Sequence, residues 1–343
     1  MIVRGRLRPL LVLAGVAALM AVAPAAAGTR PVPPRNDDPA EASALHLLQI
    51  AAWGSVMRPW TAVQRVVTLQ GGLPRLAAMQ VHHVPGHGSS LQVLAADERA
   101  VSSDAQDAEL LQVLAGHYDV VFAGSQTLAG RTTTVLEARR PGVTGAAAVA
   151  GRFWLDSASG MVLRRDVLDD TGALVRTTTF DRLTVGAAAP VVQTTAVSHV
   201  DLAWLGSIQA AGWPVRRELS AGLELFDARM HETADEDVLQ LSYSDGLSTM
   251  SLFVQPGELA SEPSGTARPI DGGGTVWVTG GSPERMVWSA AGHTWTLLSD
   301  APESSVLAAL QVLPHIPSPV HDGPLTRIWR GMAVVGSWLN PFE

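Results

Sequence analysis

Apolar and polar positions alternate in short runs along most of this chain, and clusters of Gly, Pro, Asp and Ser separate the runs. Such spacing predicts hairpin after hairpin. It is clearest from Phe153 to Leu183, where polar turns at Asp156–Gly160 and Asp169–Gly172 divide strands at Arg152–Asp156, Met161–Leu168 and Leu174–Leu183. In the middle strand Val162, Arg164 and Asp166 alternate with Leu163, Arg165 and Val167, so one face is buried and the other meets solvent or a partner. Upstream, strands are expected at Trp60–Leu69, Ala77–His83, Ser89–Leu94, Tyr118–Ala123 and Thr132–Ala138. Helices are expected over Glu41–Met57 and Asp107–Leu114.

Leu205–Gly212 reads as a domain boundary. A second strand-rich segment follows, with Leu223–Met230, Val238–Tyr243, Leu247–Val254, Thr275–Thr279, Glu284–Ser289 and His293–Ser299 as strands. Pro263–Gly274 reads as a loop, and Glu303–Leu313 as a helix with Pro302 at its start. The expected fold class is α+β: a large curved antiparallel sheet covered by helices over 41–205, beside a second, smaller α/β-sheet domain over 214–316.

The two ends read differently. Arg4, Arg6 and Arg8, an apolar run to Ala23 and the small residues Ala25, Ala26 and Ala27 form a secretory signal over 1–27; a retained anchor is the alternative. A proline-rich polar linker over 28–40 follows. The tail, 317–343, carries Ile328, Trp329, Met332, Val335, Trp338, Leu339 and Phe342 at helical spacing. This stripe packs on the protein, faces a partner or, through 325–342, touches a membrane surface. Export without a single Cys excludes both a disulfide framework and an acylated-cysteine anchor, so stability rests on a hydrophobic core. The formal net charge is −8, and no basic run suggests nucleic acid.

Chemistry is sparse. Ten histidines are the only metal-ligand candidates, yet the neighbours His82 and His83 point to opposite faces of a strand, and His87 sits in a Pro/Gly loop. There is no Gly-x-Ser-x-Gly elbow and no thiol, while Ser244 and Ser248 lie at a hairpin turn where hydroxyls bond backbone. Asp169 and Asp170 belong to an exposed turn. A hydrolase would need His82 or His231 to face a carboxylate. The chain therefore reads as non-enzymatic, with no cofactor and no metal. Ten tryptophans against eight Phe and Tyr favour binding. A helix across the sheet would leave an apolar groove, with Trp60, His83, Trp154 and Leu163 as its expected lining.

Phe153–Leu183 resembles the strand meander of the periplasmic MucB/RseB family, and Leu241–Glu258 resembles a hairpin of that family's C-terminal domain. Weaker likenesses lie at Gln80–Pro85 and Leu128–Arg131. Arg140–Gly151 departs from the pattern, being Gly/Ala-rich without an aromatic. The resemblance implies a lipoprotein-carrier-like N-terminal domain with a second domain beside it. It also implies an envelope-stress regulator that binds the extracytoplasmic part of a membrane anti-sigma factor, shields it from proteolysis, and releases it on a lipid-like or misfolded-envelope signal. Tyr243, Asp245, Leu247, Phe253 and Val254 are then the expected partner-binding residues. A carrier of lipid or lipoprotein acyl chains is the alternative.

Overall fold

The computed structural model describes residues 39–70, 73–86, 88–96, 108–186, 198–199, 205–231, 237–259, 261–280 and 283–316. The expected leader, the linker up to residue 38, His87, Trp204 and the apolar tail lie outside them.

Helix α1 (Pro39–Met57) starts at a proline, whose missing N–H costs nothing in a first turn, and stops just before Pro59. Its Ala-rich sequence gives it one small-residue face, and Ala44, Leu48, Ala51 and Ala52 are buried against the first sheet. Strands β1 (Trp60–Gln70), β2 (Leu73–Val84) and β3 (Gly88–Ala96) form a meander. Helix α2 (Ala108–His117) then leads into a second meander of β4 (Asp119–Leu128), β5 (Arg131–Arg139), β6 (Val149–Asp156), β7 (Val162–Leu168) and β8 (Leu174–Val185). The returning β8 pairs with β1, giving the order β3-β2-β1-β8-β7-β6-β5-β4.

The turns show why the strands stop where they do. Ala129 and Gly130 both have positive φ, 49° and 78°, which makes a type I′ turn between β4 and β5. After β6 the carboxylate of Asp156 accepts hydrogen bonds from the Ser159 amide (3.1 Å), the Ser159 hydroxyl (2.6 Å) and Arg131 (2.9 Å). After β7, Asp169 accepts from the amides of Thr171 and Ala173 and from the Thr171 hydroxyl.

The second unit begins with β9 (Ser198–His199) and α3 (Leu205–Ala210). It continues through β10 (Glu218–Leu219), β11 (Leu223–His231), β12 (Val238–Ser244), β13 (Thr249–Pro256), β14 (Thr266–Pro269), β15 (Thr275–Thr279), β16 (Glu284–Ala290), β17 (His293–Ser299) and α4 (Glu303–Val312). All pairings are antiparallel, in the order β10-β11-β12-β13-β17-β16-β15-β14, with β9 also on β11. Its core stacks Trp288 on Trp295 at 5.9 Å and closes under Val306, Ala309 and Leu310 of α4.

One expectation is overturned here. The fold is not a large curved sheet with a smaller α/β-sheet companion. The two antiparallel sheets are of similar size, eight strands and nine, with flanking helices, and neither is curled. The second sheet matches the first because its strands are short and its turns tight, and because the Pro263–Gly274 stretch read as loop contains β14. The first ladder runs open from β3 to β4, so nothing draws its edges together.

Candidate functional site

Two meanders with separate cores need something to hold them side by side, and the hairpin β12–β13 supplies it. Its turn contains Asp245, Gly246 and Leu247. Leu247 is 2% exposed and belongs to the first sheet's core, with Leu111, Leu114, Leu136 and Phe153. A leucine at a hairpin tip would be costly in water, and here it serves as the wedge between the units. The fit is close on both sides: a Cβ on Gly151 would come within 2.6 Å of the Leu247 side chain, and one on Gly246 within 2.5 Å of the Leu114 backbone. Gly246 also has φ of +87°, a left-handed conformation that favours glycine.

Polar groups fix the wedge. The Asp245 carboxylate accepts from the amides of Leu247 (2.8 Å) and Ser248 (2.7 Å) and from the Tyr118 hydroxyl (2.7 Å), which comes from the first unit. Burial, and then the neighbouring Asp245 charge, push the Tyr118 hydroxyl well above the ordinary phenol range. Arg165 of β7 donates to the Leu247 carbonyl. Arg176 of β8 is paired with Asp300, just beyond β17, and Asp300 also accepts from the Thr249 amide at 2.6 Å. His117 and Glu224 meet at the rim, 3.1 Å apart.

Beside the wedge lies a cavity of about 270 Å³, lined by Tyr118, Arg140, Val167, Asp170, Asp245, Leu247, Ser248 and Ser304 among others. Both units contribute to it, and its lining mixes charge, hydroxyl and apolar groups. Arg140 is already engaged there, donating to the carbonyls of Ala147, Val149 and Leu168.

The residues singled out in the sequence fall in three places. Tyr243 is fully buried in the second core, and its hydroxyl donates to the Arg216 carbonyl at 2.9 Å; burial raises its pKa. Val254 lies in the same core, while Phe253 packs with Val238 on the opposite face. Asp245 and Leu247 form the wedge. On the first sheet Trp60, His83 and Leu163 come together. Trp60 stacks on His83 at 5.7 Å and sits with Leu163 in a cluster that includes Val81 and Leu183. The His83 Nε2 donates to the Val56 carbonyl (2.8 Å), which leaves Nδ1 to accept from the Ser89 hydroxyl (3.0 Å). Trp154 is separate, lying under the Arg164 guanidinium (4.7 Å) and donating to Gln126 (2.8 Å).

His231 faces the side-chain oxygen of Gln240 at 2.8 Å, with Asp227 and Arg229 near enough to act on its charge. Ser244 donates to the Ser248 carbonyl, an ordinary turn role. Among the described residues no group of three His, Asp or Glu could hold a metal ion, and no helix is long and apolar enough to cross a membrane. Sequence reasoning missed Tyr118, Arg165, Arg176 and Asp300. The signal available was an apolar residue, Leu247, directly after a polar turn, where solvent exposure is the norm.

Comparison with known proteins gives this geometry its context. Residues 63–200 match the MucB/RseB N-terminal domain. The matched segment runs from within β1 through β8, so the wedge reaches it from sequence beyond the match. Among solved structures, the chain is similar to one from the Pseudomonas aeruginosa MucA/MucB complex, at 16% identity and a TM-score of 0.45, covering 81% of this chain and 100% of that one. It is also similar to MucB (17%, TM-score 0.42, covering 78% and 97%). A lipoprotein-sorting protein domain from Vibrio parahaemolyticus is more distant (11%, TM-score 0.23, covering 44% and 95%). No curated protein matches the chain.

Proposed function

We propose that this protein is an exported, non-enzymatic regulator that binds the extracytoplasmic part of a membrane anti-sigma factor. In this reading it shields that segment from proteolysis and lets go on a lipid-like or envelope-stress signal. The observation that carries the reading is the match of residues 63–200 to the MucB/RseB N-terminal domain. The layout adds support, since a cavity of mixed lining bordered by both units suits a component that reports their relative position.

The working parts are a first unit over 41–205, a second over 214–316, and the hairpin bearing Tyr243, Asp245, Leu247, Phe253 and Val254 as the element that couples partner binding to the junction. Tyr243, Leu247 and Val254 are wholly or nearly wholly buried, so they act by holding the hairpin's shape and seat. Carriage of an acyl chain has less support. Trp60, His83 and Leu163 fill one another's space, and the junction cavity carries charged and hydroxyl groups at its wall.

The test is calorimetric titration of the mature chain with the purified extracytoplasmic region of the cognate anti-sigma factor, followed by proteolysis of that region with and without the chain. Saturable binding with slowed cleavage is expected. A flat titration and unaltered cleavage would remove the reading.

A further inference from the structure

The outer edge of β4 is long, with α1 packed near its start at Val120. Strand β4 ends the first sheet, and among the described residues no strand pairs with its free side. From Val120 to Leu128 it carries no charge and no proline, two of the devices by which edge strands repel an added strand. Every residue from Phe122 to Thr127 is exposed, and Phe122 is 48% exposed.

The type I′ turn at Ala129-Gly130 makes Leu128 and Arg131 the hydrogen-bonded pair that closes the hairpin. Alternation in an antiparallel ladder then directs the N–H and C=O of Ser125 and Thr127 away from β5, toward the open side.

The geometry points to β4 as a β-addition site for an extended peptide strand with an apolar side chain to set on Phe122. This rests on the reading above, and the strand belongs to the anti-sigma partner. Two observations select that occupant. The edge begins at Asp119, next to Tyr118 of the junction cavity, so a segment leaving the junction runs directly onto it. The ladder also shifts register between Phe122 and Gly124, where φ is +110°. A bulge twists the edge, and an antiparallel pair with a second copy would have to match that twisted stretch to itself, whereas a free peptide follows it.

The experiment uses the full mature chain and the purified extracytoplasmic region of the cognate anti-sigma factor. Thr127→Pro removes one outward N–H without touching the ladder to β5, and at least tenfold weaker binding is expected with an unchanged circular dichroism spectrum. Because the chain has no cysteine, Thr127→Cys carries the sole thiol. A photo-cross-linker attached there should label the partner, and amide exchange at Ser125 should slow on binding. Binding within twofold of the parent, or labelling of a second copy of this chain instead, overturns the β4 site while leaving the regulator reading in place. Absence of any binding by the parent chain overturns both.

Discussion

Arg176 of the first sheet and Asp300 of the second form an ion pair across the junction in which the two side chains are only 2% and 5% exposed. A pair so deeply buried adds little net stability by comparison with apolar residues, but losing one partner strands the other charge. Arg176→Met should therefore cost about 3 to 5 kcal/mol. It should also split urea unfolding, followed by tryptophan fluorescence, into two transitions as the units uncouple. Arg176→Met with Asp300→Asn should recover much of that loss, and equal loss in single and double variants would show that the pair is not the lock.

Gly151 and Leu247 provide a second, independent test of the wedge. Gly151→Ala places a methyl group against the leucine side chain, and Leu247→Ala leaves a hole worth about 2 to 5 kcal/mol. Combined, the extra methyl group occupies part of the hole. The double variant should be more stable than the sum of the single losses predicts, by about 1 kcal/mol or more in a double-mutant cycle.

Acid should loosen the β6–β7 turn. Burial disfavours the Asp156 charge, yet the Ser159 hydroxyl and amide and the Arg131 guanidinium outweigh it and hold the carboxyl below its ordinary 3.8. Between the two values the unfolded chain binds the proton and the folded chain does not. The stabilisation is thus complete above the ordinary value and is lost as pH falls through the lower folded one. Asp156→Asn should be less stable than the parent at pH 7, and the gap should narrow as pH drops below about 4. Denaturation midpoints across that range measure it.

Tryptophans of one composition class should behave in opposite ways. Trp53 is 62% exposed on α1, whereas Trp60 is buried, stacked on His83 and bonded to the Ser55 carbonyl at 2.8 Å. Trp53→Ser should stay within about 0.5 kcal/mol of the parent, while Trp60→Ala should cost about 3 to 5 kcal/mol. Thermal melts of the two variants separate them.

Much of the strand register was legible because alternation is a local property. The runs at Trp60–Leu69, Thr132–Ala138 and His293–Ser299 follow from neighbours alone, and so do the Asp156 and Asp169 turns. Strand β14 was not legible, since Thr266–Pro269 is four residues amid Gly, Pro and Ser and exists by pairing with β15. The relative size and flatness of the sheets depend on pairings between distant segments, β8 with β1 and β17 with β13, which no local pattern encodes. The site was legible only in part. Asp245 stood out in a hairpin turn and Leu247 as the start of the next strand, but the leucine's destination in another unit's core depends on Gly151 and Arg165, roughly eighty to a hundred residues earlier in the chain.

The borrowed leucine also orders events at the chain's birth. Synthesis delivers the eight strands of the first sheet well before residue 247 emerges, so that sheet assembles with a vacancy beside Leu114 and Phe153. The vacancy fills only after β12 and β13 have paired, which makes maturation of the N-terminal half wait on the C-terminal half. Truncations made between the two would yield a sheet with a greasy socket open to solvent, prone to capture whatever apolar chain passes.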